Sequence, residues 1–178
     1  MQMKKLLIVS STKNSNYELS KDIESFFSNK NDISCSLVSL EEFNLPLYTP
    51  TLEEEFKNNN TFPVDIDKIK ELLVSSNALI WCSPEYNGGI SPIVTNSIAW
   101  ISRATNDWKD GFKDKLSLIC TSSGGNGLNF IAGFKSQLGY LGANVMDKSI
   151  VKTNKKELIE KEFNEILDEF YSKISNSS

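Results

Sequence analysis

Apolar residues fall along this chain in two alternating rhythms. Short runs read as strands: Lys5 to Val9, Ile33 to Leu40, Ala78 to Cys82, Lys115 to Thr121 and Ala143 to Met146. Between and after them, apolar residues recur at helical spacing. The helical sets are Leu19, Ile23, Phe26 and Phe27; Ile66, Ile69, Leu72 and Leu73; and Ile93, Val94, Ile98 and Ile101. Two more are Leu128, Ile131, Phe134, Leu138 and Leu141, and Ile159, Phe163, Ile166, Phe170 and Ile174. Strand followed by helix, five times over, predicts one α/β domain over residues 1–178. Its sheet should be parallel and five-stranded, with helices on both faces. The order 2-1-3-4-5 is expected, with ligand bound where the first and third strands part. In the second strand Ile33, Cys35 and Leu37 alternate with serines, so it should be the more exposed one.

Glu41 to Pro63 is the least regular stretch. Leu45 to Tyr48 reads as a turn laid on the body, Glu53 to Phe56 as a short helix, and Asn58 to Thr61 as a mobile tip. So long a connection serves as a lid or subunit contact, or is simply loose. Ser175 to Ser178 should fray.

Three loops fall at the C-terminal ends of the first, third and fourth strands, and they hold the notable polar residues. The central one is Ser83-Pro84-Glu85-Tyr86-Asn87-Gly88-Gly89-Ile90-Ser91-Pro92. Pro84 ends the strand by forcing Ser83 to extend. Gly88 and Gly89 allow close approach and unusual backbone angles. Ser91 suits a helix N-cap, with Pro92 in the first turn.

The first loop is Ser10-Ser11-Thr12-Lys13-Asn14-Ser15-Asn16. It opens a helix, whose free N–H groups favour an anion, and Lys13 adds a full charge. A terminal phosphate monoester would fit, and a plain Ser/Asn-rich cap fits equally. The third loop, Ser122-Ser123-Gly124-Gly125-Asn126-Gly127, also opens a helix. It is either a ligand-facing turn or one that only needs small residues.

Composition narrows the chemistry. Hydrophobic residues make up 39% and charged residues 24% of 178, and the net charge is −4. That balance gives no reason to expect nucleic acid or an anionic membrane as partner. No apolar run approaches a membrane span of about 20 residues, and Met1 to Lys5 has no signal-peptide layout, so a cytoplasmic location is expected. Cys35, Cys82 and Cys120 have no metal-site spacing and read as free thiols. The chain has no histidine, which excludes a Ser-His-Asp triad, a His-ligated zinc and histidine acid–base chemistry. No Gly-x-Gly-x-x-Gly or Gly-x-x-x-x-Gly-Lys-Ser/Thr is present, against a dinucleotide fold of that type and against ATP or GTP hydrolysis.

The run Ser-Pro-Glu-Tyr-Asn-Gly at 83–88, followed by Asn96, Trp100, Ser102 and Arg103, resembles the NAD(P)H-dependent FMN reductase family. That family has a flavodoxin-like fold and includes quinone, azo-dye and chromate reductases. The resemblance implies FMN as cofactor and NADPH or NADH as co-substrate. Hydride would pass from nicotinamide to flavin, and on to a quinone-like or other small acceptor, with the flavin carrying the chemistry and no catalytic side chain or metal. It places the flavin edge against Pro84, Glu85, Tyr86, Asn87 and Gly88, and the phosphate against Ser10, Ser11, Thr12, Lys13, Ser15 and Asn16. Ser122, Ser123, Gly124 and Gly125 would lie on the side of nicotinamide or acceptor. A homodimer or homotetramer is implied as well.

Ser10 and Lys13 stand where the family carries glycine and arginine, and lysine lacks the bidentate fork. Thr95 and Ala99 stand where lysine and aspartate are frequent. Glu41 and Glu42, after the second strand, read as solvated. The competing readings are a flavodoxin-like electron carrier and an α/β binding module without flavin.

Overall fold

A computed structural model describes residues 3–154 and 158–176. Its centre is a parallel sheet in the order β2-β1-β3-β6, where β1 is Lys4–Ser10, β2 Ile33–Ser39, β3 Ala78–Cys82 and β6 Leu116–Ser123. The fifth position is shared by two short strands, β7 (Asn144–Val145) and β8 (Ile150–Thr153), which pair with successive parts of β6. The sheet therefore has six strands where five were expected. The expected last strand at Ala143 to Met146 stops short, and pairing resumes at Ile150.

The strands are apolar because both faces are covered. Leu6 and Ile8, with Ala78, Ile80, Leu118 and Cys120, pack on α1 (Ser15–Phe27) and α6 (Glu160–Asn176) through Leu19, Ile23, Phe27, Phe170 and Ile174. Leu7, Val9, Leu79, Trp81 and Ile119 point the other way. They meet Ile69 and Leu73 of α3 (Val64–Ser75), Ile98 and Ile101 of α4 (Pro92–Ala104), and Phe130 and Phe134 of α5 (Leu128–Tyr140). β2 is the edge strand; Ser34 and Ser36 are exposed while Cys35 and Leu37 are only partly buried, so it is more exposed than β1, as expected.

Two stretches are firmer than the sequence suggests. After a 3₁₀ turn at Leu40–Glu42, residues 43–49 lead without regular secondary structure into α2 (Pro50–Asn58). The Pro46 carbonyl accepts from both Asn96 Nδ2 (3.0 Å) and Trp100 Nε1 (2.6 Å), and Asn96 Oδ1 accepts from the Tyr48 N–H (2.8 Å). Tyr48, Phe56 and Phe62 each set a ring against the buried Trp100. The expected short helix at Glu53 to Phe56 is thus a nine-residue one, pinned by an aromatic cluster. At the C-terminus, Ser175 and Asn176 belong to α6, and Ser175 Oγ donates to Asp32. Ser177 and Ser178 lie outside the described residues, as do Met1 and Gln2.

Candidate functional site

The parallel sheet brings the ends of β1, β3 and β6 side by side, so the three loops converge. Hydrogen bonds tie them in a closed circuit. The Ser11 N–H donates to the Cys82 carbonyl (2.8 Å), joining the first loop to the end of β3. Asn16, fully buried, donates from Nδ2 to the Ser122 carbonyl (2.9 Å) and accepts the Ser122 N–H on Oδ1 (2.8 Å). The Glu85 N–H donates to Ser123 Oγ (2.7 Å), which joins the central loop to the third. Buried amides that exchange both bonds in this way fix position and register, since losing one partner strands the other.

The central loop, expected as a tight connection between strand and helix, is a two-stranded hairpin. β4 (Glu85–Tyr86) pairs antiparallel with β5 (Gly89–Ile90). Asn87 and Gly88 sit at φ of 51° and 71°, the two positive values that a two-residue type I′ turn needs and that Asn-Gly tolerates best. The Glu85 side chain has a separate task. Its Oε2 accepts the N–H groups of Asn129 (2.9 Å) and Phe130 (3.0 Å) in the first turn of α5. That helix starts at Gly127, which offers no capping side chain. A carboxylate from another loop therefore caps it, with the dipole in favour. Gly127 itself must be glycine. Its φ is 69°, and a Cβ there would lie 2.7 Å from Thr121 Cγ2.

With the hairpin so fastened, its tip stays open. Tyr86, Asn87 and Gly88 are exposed, and the N–H groups of Asn87 and Gly88 make no hydrogen bond among the described residues. The same holds for the N–H groups of Gly124 and Gly125, both exposed. Neither of those two glycines is demanded by the backbone, for neither has positive φ and a Cβ would meet nothing closer than 3.6 Å. Pro84 is buried behind the hairpin. Ser91 occupies the N-cap of α4, yet its hydroxyl accepts from Ser83 Oγ (3.1 Å) and does not cap.

The first loop is more occupied. Ser10 Oγ donates to the Thr12 carbonyl (2.8 Å), and Thr12 Oγ1 donates to Asn14 Oδ1 (2.7 Å). That same Asn14 oxygen caps α1 by accepting the Asn16 N–H (3.2 Å). The N–H groups of Thr12, Asn14 and Ser15 make no hydrogen bond among the described residues. Ser11 Oγ is buried and has no partner there either. Glu41 and Glu42 are exposed, as expected, and from there both reach this loop. Glu41 Oε2 accepts the Lys13 N–H at 2.5 Å, and Glu42 Oε1 lies 3.1 Å from Lys13 Nζ. The strand order carries the signal for this contact: β2 lies beside β1, so the residues after each meet.

The ensemble suits a mononucleotide. Spare N–H donors line all three loops, Tyr86 offers a half-open ring, and the orphaned Ser11 hydroxyl lacks the acceptor that a phosphate oxygen would supply. A groove of about 760 Å³ between Phe43, Leu72, Thr105 and Asp110 involves none of these loops.

Comparison with known proteins agrees with the geometry. Residues 3–157 match the family described as NADPH-dependent FMN reductase. The NADPH:quinone oxidoreductase of Arabidopsis thaliana is 28% identical over 78 residues, which is 44% of this chain and 38% of that protein. The match thus spans well under half the length of that curated relative. Among solved structures, the NAD(P)H:(acceptor) oxidoreductase FerB from Paracoccus denitrificans superposes with a TM-score of 0.74 at 17% identity, covering 97% of this chain and 95% of that one. An oxidoreductase from Corynebacterium diphtheriae gives 0.75 at 15% identity over the full length of both. At these identities the likeness establishes the fold.

Proposed function

Since the chain belongs to the NADPH-dependent FMN reductase family, we propose that it holds FMN across the three loops and moves electrons from NADPH or NADH to a small acceptor such as a quinone. FMN, when bound, would supply the hydride-transfer chemistry. The chain supplies position. Asn87 and Gly88 present two N–H donors on a hairpin held at three points, and such donors favour negative charge on whatever ring edge they meet. Gly124 and Gly125 leave room on the neighbouring loop. Thr12, Asn14 and Ser15, with the Ser11 hydroxyl, take the phosphate. A cytoplasmic location and a homodimer or homotetramer belong to the same reading. Among the described residues no helix is long and apolar enough to cross a membrane.

The observation that carries this reading is the hairpin tip, built with precision yet left with unspent donors. The test is spectroscopic. FMN added to the protein should lose fluorescence to saturation. NADPH or NADH should then bleach it without oxygen, and a quinone should restore it. Bleaching by dithionite but by neither nicotinamide would make the chain an electron carrier. No response to excess FMN would leave a binding module without flavin.

A further inference from the structure

Resting on that reading, we infer that Glu41 is a carboxylate latch on the phosphate end of the site, so that the chain takes flavin as an exchangeable ligand and barely prefers FMN over riboflavin. The two flavins differ by one phosphate monoester, which is close to dianionic at neutral pH. Lys13 is the only cation between Ser10 and Asn16. Two carboxylates already claim it: Glu42 at its Nζ and Glu41 at its N–H, the middle donor of the loop. The phosphate end therefore has one positive charge against two negative ones.

The latch stands on a firm base. Leu40, just before it, is fully buried, and the Glu41 N–H donates to Ser39 Oγ, itself buried (3.3 Å). The side chain of Glu41 is exposed, so it can swing while its backbone stays. A phosphate entering the loop has two courses. It can displace the carboxylate, losing a charged hydrogen bond worth roughly ten- to 150-fold in an equilibrium constant. Otherwise it settles beside a like charge. Either course takes back much of what the phosphate contributes, while the ring end is untouched. Riboflavin meets no such cost. The Ser11 hydroxyl and the N–H groups of Thr12, Asn14 and Ser15 stay available to a phosphate, but none of them carries the charge that Lys13 would have brought.

Dissociation constants for FMN and riboflavin, from fluorescence quenching, decide the matter for wild type, Glu41→Gln and Glu54→Gln. The last makes the same charge change on the exposed face of α2. Wild type should favour FMN by less than about tenfold, and Glu41→Gln should tighten FMN about tenfold with riboflavin within twofold. Glu54→Gln should match wild type. The latch is overturned if wild type already prefers FMN by about 100-fold or more, or if Glu41→Gln leaves FMN unchanged or weaker. Binding of neither flavin by wild type or Glu41→Gln would overturn the flavin reading itself, a result distinct from a failed latch with flavin still bound.

Discussion

Two glutamates, Glu85 and Glu41, mark opposite ends of the site and do opposite things. Glu85 gives its carboxylate to the first turn of α5 and so leaves the hairpin tip free to bind. Glu41 gives its carboxylate to Lys13 N–H, a donor that a phosphate would want. One end is built and open; the other is built and occupied. The difference lies in where each carboxylate finds unspent N–H groups. Gly127, at the N-cap of α5, has no side chain and Asn126 takes only the Leu128 N–H, so the next two N–H groups draw Glu85 in. α1 is capped by Asn14, so the carboxylate that approaches from β2 meets the loop instead. An acidic residue near a ligand site is thus either scaffold or competitor, according to whether the nearest helix is already capped.

The largest effect should come from cutting the tie that both ends share. Asn16→Ala strands the buried N–H and carbonyl of Ser122 and should cost about 2–4 kcal/mol in urea unfolding. Both FMN and riboflavin should weaken with it. Next, Glu85→Ala uncaps α5 and should cost about 1.5–3 kcal/mol. It should loosen the hairpin, so riboflavin and FMN lose affinity alike. A variant as stable as wild type would show that Glu85 is not scaffold.

Smaller effects separate the ends. Gly88→Ala puts a side chain at φ 71°, at a strain of about 1 kcal/mol. It should shift the midpoint potential of bound FMN, because the tip donors matter more to one redox state than the other. Lys13→Ala should cost less than about 0.5 kcal/mol in stability, its ion pair being half exposed. It should leave the potential unchanged, since a group with equal affinity for two states cannot shift their balance. If Lys13→Ala moves the potential and Gly88→Ala does not, the two ends have been assigned the wrong way round.

A separate effect, in pH rather than in affinity, is expected away from both ends. The buried Lys115 ammonium donates to the carbonyls of Leu73 and Val74 at the end of α3. It is the mirror of Glu85, a cation at a helix C-terminus. Burial pulls its pKa down to about 8, with Asp110 opposing. Between that value and the ordinary 10.5, the unfolded chain holds more protons than the folded one, so stability should rise with pH. Lys115→Met should flatten that rise.

Much of this was legible in the chain. Leu6 to Val9 and Ala78 to Cys82 are apolar at every position because both sheet faces are covered, and that alone gives the parallel sheet. Local rules also sufficed for α4, where Pro92 sits at the start. The hairpin was legible too, for Asn87-Gly88 is a type I′ signal, but the flanking strands are only two residues each and show no alternation. Contacts across long sequence distances were not legible. Nothing local to Asn96 and Trp100 says that they hold Pro46, and nothing local to Glu85 says that it caps a helix over 40 residues on. Glu41 needed the strand order first and a side-chain position second.

The most direct test of the site is a map of backbone amides by heteronuclear NMR as FMN is added. The expected result is that the largest shifts fall at Thr12, Asn14, Asn87, Gly88, Gly124 and Gly125. Riboflavin should reproduce those at 87, 88, 124 and 125 and spare Thr12 and Asn14. Shifts centred on the groove around Phe43, Leu72 and Asp110, with the hairpin tip unmoved, would contradict the assignment.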